Sequence, residues 1–385
     1  MRAQARRKRD VQRLYTEGLD HLLRNNLKQA YQCFKGVIDR DTDYIAAYLK
    51  LGQVMRRGGA ADRAHKLHES LLARPDLTTY EQVELLKELA LDYTELNQHE
   101  QAVERALEIL KLEKRNAWAL RQLVKSYRYL RDWEAAGKYL SQWQKVTNQE
   151  DPRLQALCRF RQGYDRRHED SLETVRSHYQ QALKIDEKFA PALYFMAESY
   201  ADGALSYRKE LAAAETSEDK KTTRQQQLEE KIAKLYSQAV AYWSAFVEVS
   251  PADTALVLPM VEEALFYLQQ FDNIEPFLKR VLEKDPDNLD GVAGLANFYV
   301  RKGDLDRAQE LLGTIPGNAV GSPLIRAIQL KLNYRRRADQ NLLPELDRLI
   351  DSIRLEAKTQ IGRRDARASL MSWLDPSSDP LEKLE

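Results

Sequence analysis

Large, small and aromatic apolar residues recur along this chain at fixed places in a period of 34 residues. Gly18, Ala30 and Phe34 mark the first period. Their counterparts in the second period are Gly52, Ala64 and His68. Small residues suit places where two helices nearly touch, and aromatic residues fill the gaps beside them. The pattern therefore predicts successive helical hairpins that interlock through their apolar faces.

Further periods follow, some of them displaced by inserted residues. Their apolar positions, unit by unit, are Ala90, Tyr93, Ala102 and Ala106; Val124, Tyr127, Ala136, Leu140 and Trp143; Gly163, Val175, Tyr179 and Ala182; Leu193, Met196, Ala197, Tyr200, Ala239, Trp243 and Phe246; Leu258, Leu265, Ile274 and Leu278; Leu295, Ala296, Tyr299, Ala308 and Leu312. A degenerate ninth hairpin is predicted at residues 324–358. Proline cannot continue a helix, so Pro251, Pro286 and Pro316 are predicted to end units.

The period, its order of small and aromatic positions, and the turn residues Gly59 and Gly303 resemble the tetratricopeptide repeat. The predicted fold class is therefore all-α: a right-handed tetratricopeptide-repeat superhelix, or α-solenoid, of about eight or nine helical hairpins. An ordinary helical bundle with accidental periodicity is the alternative. The number of units in one chain weighs against it.

Departures from the period divide the chain into segments. The predicted segments are a basic N-terminal segment at 1–10, tetratricopeptide units at 11–200, a charged helical insertion at 201–232, further units at 233–360, and a C-terminal helix or disordered tail at 361–385. The insertion is predicted to be two helices broken near residues 216–219. It serves either as a solvated spacer or as an arm for a partner or a second subunit.

Charge and cysteine content narrow the functional classes. The 385 residues include 60 Lys and Arg against 59 Asp and Glu, and this balance gives no overall field that would attract nucleic acid or an anionic membrane. The two cysteines, Cys33 and Cys158, form no CxxC pair, which disfavours a zinc site and fits a reducing cytoplasm. No apolar run is long enough to predict a membrane span.

Signatures of catalysis are missing from the sequence. It contains no phosphate-binding loop, no G-x-S-x-G and no G-x-G-x-x-G motif. His65 and His68 lie on one predicted helix, but no H-E-x-x-H pattern or further ligand accompanies them. Ion pairs along helix surfaces explain the spacing of the carboxylates. The sequence therefore predicts no catalytic residue, no metal and no cofactor, and a protein that is not an enzyme.

The first helix of each hairpin in such an array lines a concave groove that can receive a helix or an extended peptide. The outward positions of these helices in the N-terminal half are basic with aromatic neighbours, and the candidate partner-binding residues are Arg56, Arg57, Trp118, Arg121, Lys125, Arg128, Tyr129, Phe160, Tyr164 and Arg167. Arginine–carboxylate pairs and cation–π contacts would suit an acidic peptide. Aromatic stacking would suit single-stranded RNA, and an ordinary solvated helix face is the third reading.

A longer motif in the second and third units is more specific than the repeat itself. Residues 52–68 carry the string G-x-x-x-R-x-x-G-x-x-x-R-A-x-x-x-H, and residues 77–82 carry L-T-x-Y-E-Q. This combination resembles the lipopolysaccharide assembly protein B family, over most of residues 10–330 and most strongly at 44–110. The resemblance implies a membrane-anchored cytoplasmic repeat array that ends in a rubredoxin-like metal module. This sequence contains neither the membrane helix nor the CxxC pairs of that module.

The resemblance also implies an adaptor that binds a membrane protease and helps to deliver its substrate, a deacetylase that commits precursors to lipid A. We therefore predict a protein-binding adaptor of lipopolysaccharide synthesis in the cytoplasm, or at the cytoplasmic face of the inner membrane. The basic stretch at residues 6–9 fits a juxtamembrane segment, a patch for nucleic acid or acidic lipid, or a tail without a role. The alternatives are an RNA-binding repeat protein and a self-assembling array.

Overall fold

In the computed structural model, residues 2–214, 223–315 and 323–336 are described, together with residues 347, 350 and 351. All longer elements in these ranges are α-helices, which we number in chain order. They are α1 (Arg2–Leu23), α2 (Leu27–Ile38), α3 (Ile45–Arg57), α4 (Ala61–Leu71), α5 (Thr79–Glu95), α6 (His99–Leu112), α7 (Ala117–Tyr129), α8 (Trp133–Thr147), α9 (Pro152–Asp165), α10 (Leu172–Ile185), α11 (Ala190–Ala214), α12 (Thr223–Val249), α13 (Thr254–Tyr267), α14 (Ile274–Lys284), α15 (Leu289–Lys302), α16 (Leu305–Gly313) and α17 (Pro323–Arg336). The predicted all-α tetratricopeptide-repeat fold is confirmed.

Most turns inside hairpins share one backbone device. A residue in the left-handed region follows the first helix, and the next amide donates to a carbonyl five residues back, which satisfies an otherwise unpaired helix end. The left-handed residues are Asn25, Gly59, Asn97, Arg131, Gln269 and Gly303. In the second hairpin, for example, the Ala60 amide donates to the Met55 carbonyl at 2.9 Å. The predicted turn glycines, Gly59 and Gly303, therefore occupy the positions where a missing Cβ is most useful.

The first compact unit ends at Asp151 and contains α1 to α8. Its helices pack in sequence order, so each hairpin buries its apolar face on the next. The small positions of the repeat lie where the predicted pattern requires them. A Cβ on Gly18 would stand 2.8 Å from the Phe34 ring, too close for any side chain. Phe34 and Ala30 are fully buried beside it.

The second compact unit begins at Pro152 and contains α9 to α17. Its core is built from large aromatic residues, with Phe160, Tyr179, Trp243 and Phe246 almost fully buried. The small positions again admit close approach, since a Cβ on Gly294 would meet the Leu258 side chain at 2.8 Å. This unit is therefore also a stack of hairpins.

The charged insertion lengthens two helices of the second unit. α11 has 25 residues and α12 has 27, about twice the length of most neighbours. Leu228, Ile232 and Tyr236 on α12 are buried, and Arg224 pairs with Glu210 at 2.8 Å. The described parts of the insertion therefore pack as a helical pair. The predicted break at residues 216–219 lies outside the described residues.

The last described helix, α17, packs on α15 and α16 and buries Ile328 and Leu332. Lys331 is buried there, and it donates to Asn297 at 3.2 Å and pairs with Asp347. The rest of the predicted ninth hairpin, Pro316 and the predicted tail at 361–385 lie outside the described residues. Across the described part of the chain, no helix has the length and apolarity needed to cross a membrane.

Candidate functional site

The candidate surface is one face of α7. Asn116 caps this helix by accepting from the Ala119 amide at 2.9 Å, and the buried side of the helix carries Leu120, Leu123 and Val124. The opposite side carries Trp118, Arg121, Lys125 and Tyr129, which are three or four residues apart and so share one face. We call these four residues the α7 face.

The α7 face is only partly solvated. Trp118, Arg121 and Lys125 are half-buried, whereas Tyr129 is 48% exposed. Trp118 packs against the core of α5 and α6 and turns its remaining surface outward. Half-buried side chains are already restricted, so they lose less conformational entropy on binding than fully exposed ones. Binding at this face therefore costs less entropy.

Positive charge is concentrated on α7. Burial is the main cause that lowers the pKa of Lys125, and the charges of Arg121 and Arg128 lower it further. Among the residues that the structure covers, Lys125 has no ion-pair partner. A cation that lies close to two others is stabilised by a bound anion, because the anion offsets the repulsion among the three positive charges.

Tyr129 is held in place by its neighbours. Its ring stacks on His99 with a centroid distance of 4.4 Å and an interplanar angle of 1°. Arg128, which is only 5% exposed, places its guanidinium carbon 4.6 Å from the centre of the same ring. Arg128 therefore contributes charge from beneath the surface and orients Tyr129.

Arg56 is not available to a partner, which corrects its predicted role. Its guanidinium pairs with Glu88 and Asp92, each at 2.5 Å, and only 10% of its side chain is exposed. Burial alone would lower the pKa of Arg56, but Glu88 and then Asp92 outweigh burial and raise it. The neighbouring Arg57 donates to Asn25 at 3.0 Å and to the Leu22 carbonyl, and its side chain remains exposed.

His68 completes this buried network, which sequence reasoning missed. Its Nδ1 lies 2.5 Å from Asp92 Oδ2 and its Nε2 lies 3.3 Å from the Leu49 carbonyl. Both ring nitrogens therefore lie within hydrogen-bond reach of an oxygen atom. Arg56 pairs with Glu88 and with the same Asp92, and this pairing offsets the cost of burying the two carboxylates. Two carboxylates one helical turn apart on α5 were the signal available in the sequence.

The remaining candidates lie in the second unit. Phe160 is fully buried and stacks on Tyr179 at 5.1 Å, so it has no surface for a partner, and its predicted role is corrected. Tyr164 is 9% exposed, and Arg167 stands 3.9 Å above its ring while donating to its carbonyl at 2.7 Å. Tyr164 and Arg167 line a cleft rather than an open helix face.

Comparisons with known proteins match parts of this chain. A sequence profile described as tetratricopeptide repeat matches residues 265–332. Lipopolysaccharide assembly protein B of Escherichia coli is 27% identical over 126 residues, which are 33% of this chain and 32% of that protein. Its namesake in Haemophilus influenzae is 23% identical over 281 residues, which are 70% of this chain and 62% of that protein. This chain is all-α, matches a tetratricopeptide-repeat model over residues 265–332, and is similar over part of its length to lipopolysaccharide assembly protein B.

The matches cover only part of the assembly protein B relatives, about a third of the first and under two thirds of the second. Among solved structures, MamA has a TM-score of 0.37 at 15% identity, over 46% of this chain and 93% of that one. A tetratricopeptide-repeat protein from Parabacteroides merdae has a TM-score of 0.36 at 13% identity, over 85% of this chain and 99% of that one.

The described chain is a series of stacked helical hairpins, similar over part of its length to lipopolysaccharide assembly protein B. The candidate surface is carried by α7, the first helix of its hairpin. Within the described ranges, no group of three or more His, Cys, Asp or Glu side chains could hold a metal ion. The repeat fold is typically non-catalytic.

Proposed function

We propose that this chain is a protein-binding adaptor, not an enzyme, and that its α7 face receives an acidic segment of a partner protein. The observation that carries the proposal is the charge on α7, where Lys125 lies between Arg121 and Arg128 and its pKa is lowered by burial and by both neighbours. Carboxylates placed there would form charge-assisted hydrogen bonds. Trp118 and Tyr129 would cover the apolar parts of the same segment.

The relatives support a proposal for the biological setting of this adaptor. Because the similar proteins are named lipopolysaccharide assembly protein B, we propose that the partner acts in lipopolysaccharide assembly. The finer role implied by the resemblance is to link a membrane protease to its substrate at the cytoplasmic face of the inner membrane.

The test compares two probes on the intact chain. Binding of a fluorescent hexaglutamate peptide and of a fluorescent hexauridylate RNA is measured by anisotropy for the wild type and for Arg121→Glu with Lys125→Glu. Loss of two charge-assisted contacts should weaken peptide binding about tenfold or more, and added salt should weaken it in the wild type.

A matched control carries Lys114→Glu with Lys145→Glu, which changes the net charge equally at exposed positions that are not part of the α7 face. Equal peptide affinity for both double variants would reject the α7 face as the binding site. Preferential binding of the RNA over the peptide would replace the proposal with the RNA-binding alternative.

A further inference from the structure

Lys125 on α7 has only positive charges close to it. Arg121 precedes it by four residues and Arg128 follows it by three, and side chains at these spacings are neighbours on a helix surface. Within the described part of the chain, these two arginines are the charges that act on the pKa of Lys125, and Lys125 forms no ion pair. By contrast, Lys87 and Lys279 each pair with a glutamate one helical turn away. The neighbours of Lys125 therefore favour its neutral amine over its ammonium form.

Burial acts on Lys125 in the same direction. The side chain is half-buried, and the loss of water around it is the largest cause that lowers its pKa. A neutral amine has a lone pair and is a nucleophile, whereas an ammonium ion is not. At a given pH, Lys125 therefore contains a larger fraction of reactive amine than a lysine with the ordinary pKa.

The two arginines suit an anionic group on the Lys125 nitrogen. Hydrogen bonds from a guanidinium to a carboxylate are charge-assisted and often bidentate. Each guanidinium has five N–H donors, so Arg121 and Arg128 can keep their present contacts and still donate to a carboxylate. Arg128 is 5% exposed and its guanidinium carbon lies 4.6 Å from the centre of the Tyr129 ring, which fixes the position of its charge. The charges that disfavour an ammonium at this position therefore stabilise an anion there.

We propose that Lys125 reacts reversibly with carbon dioxide to form a carbamate. The lone pair of the neutral amine forms a bond from Nζ to the carbon of carbon dioxide, and the electron pair of one C=O bond moves to its oxygen. One proton leaves the nitrogen for water. The product is an N-carboxylate with one negative charge, to which Arg121 and Arg128 donate hydrogen bonds.

The modification regulates the α7 face, and this consequence rests on the proposed function. The carbamate replaces a positive charge with a negative one at the place where the acidic segment of the partner would bind. It also accepts hydrogen bonds from the arginines that the segment needs, so the two anions compete and repel each other. Carbon dioxide therefore weakens binding of an acidic segment to the α7 face.

The chemical test follows the carbamate directly in the intact chain. The protein is equilibrated with isotope-labelled bicarbonate, carbon NMR detects the carbamate, and ethylation followed by peptide-mapping mass spectrometry locates it. Lys125 should contain about tenfold more carbamate than the exposed Lys145, because Lys125 has more neutral amine and two cations beside the product. The excess should be largest at the low end of the pH range in which carbamates form.

Variants of Arg121 test the role assigned to its charge. Arg121→Gln should lower the carbamate at Lys125 about threefold or more, whereas Arg121→Lys keeps the charge and should retain most of it. Lys145→Arg is the matched control and should leave the carbamate at Lys125 unchanged. Circular dichroism checks the helicity of each variant. Equal occupancy at Lys125 and Lys145, or equal occupancy in Arg121→Gln and Arg121→Lys, would overturn the proposal.

A binding measurement separates this inference from the proposed function. Anisotropy of the hexaglutamate peptide is measured in bicarbonate and in chloride at equal pH and ionic strength. Bicarbonate should weaken binding about threefold or more in the wild type and in Lys145→Arg, but not in Lys125→Arg, which keeps the charge without the amine. Equal weakening in Lys125→Arg would overturn the regulatory role. A carbamate without peptide binding in chloride would reject the proposed function alone, and peptide binding without a carbamate at Lys125 would reject this inference alone.

Discussion

At the scale of single residues, Gly52 and His68 show how the second unit accommodates a buried histidine at the position that Phe34 occupies in the first unit. His68 is fully buried, and a Cβ on Gly52 would overlap its ring. The ring cannot retreat, because Asp92 and the Leu49 carbonyl hold its two nitrogens. The missing side chain at Gly52 therefore lets α3 and α4 approach closely enough to form the buried network.

This close approach gives a direct test of packing. Gly52→Ala should lower the free energy of unfolding by about 1–3 kcal/mol, because the added methyl group must displace His68 from its hydrogen bonds. Urea denaturation of the intact chain, with hydrogen exchange to localise the loss to α3 and α4, measures the effect. Gly313→Ala is the matched control, since nothing lies within 4 Å of a Cβ there. Similar effects at both positions would contradict the packing argument.

The sequence did not predict correctly which candidate binding residues reach solvent, because each of these side chains could point either to solvent or into the core. Phe160 and Arg56 lie on the first helices of their hairpins, and the repeat pattern therefore predicts that both face the open groove. In the structure Phe160 enters the aromatic core and Arg56 turns to Glu88 and Asp92. Both choices depend on side chains of other helices, which a repeat pattern does not specify.

At the scale of elements, helix ends explain why the inserted residues before α5 do not disturb the stack. Thr78 and Glu81 form a capping box, in which the Glu81 amide donates to the Thr78 hydroxyl at 3.2 Å and the Thr78 amide donates to the Glu81 carboxylate at 2.9 Å. Hydrogen bonds from the Thr78 side chain and then its backbone lower the pKa of Glu81. The helix therefore begins at a defined residue after the insertion.

Removing this cap should destabilise α5 in a pH-dependent way. Thr78→Ala should cost about 1 kcal/mol near neutral pH, while Thr79→Ala, one residue further on, should cost less. Because the folded pKa of Glu81 is lowered, its contribution is present above the unfolded pKa and is lost as the pH falls through the folded pKa. Hydrogen exchange of the first turn of α5 should show the difference between wild type and Thr78→Ala shrinking in acid. A difference independent of pH would exclude the carboxylate from the cap.

At the scale of the whole molecule, the chain comprises two compact units whose boundary falls between Asp151 and Pro152. In a repeat stack, each hairpin obtains most of its burial from its immediate neighbours. The α7 face and the network around His68 are contained in the first unit. The cleft lined by Tyr164 and Asp202 is contained in the second.

The first unit should therefore fold and bind without the second. Residues 1–151, produced alone, should show a helical circular dichroism spectrum and cooperative urea unfolding. The hexaglutamate peptide should bind within about threefold of its affinity for the intact chain, since all residues of the α7 face are present. A fragment that lacks cooperative unfolding would show that the second unit is required for the first to fold.

The sequence by itself determined the helical hairpins, their tight turns and the small positions such as Gly18 and Gly52, because a local period specifies which side of each helix must be buried. Only the tertiary structure decided which outward residues meet solvent, which carboxylates neutralise Arg56, and that Tyr164 and Asp202 share a cleft. The physical reason is distance along the chain. The hairpin pattern repeats within neighbouring segments, whereas these contacts join residues on different helices, and their geometry depends on how closely those helices pack.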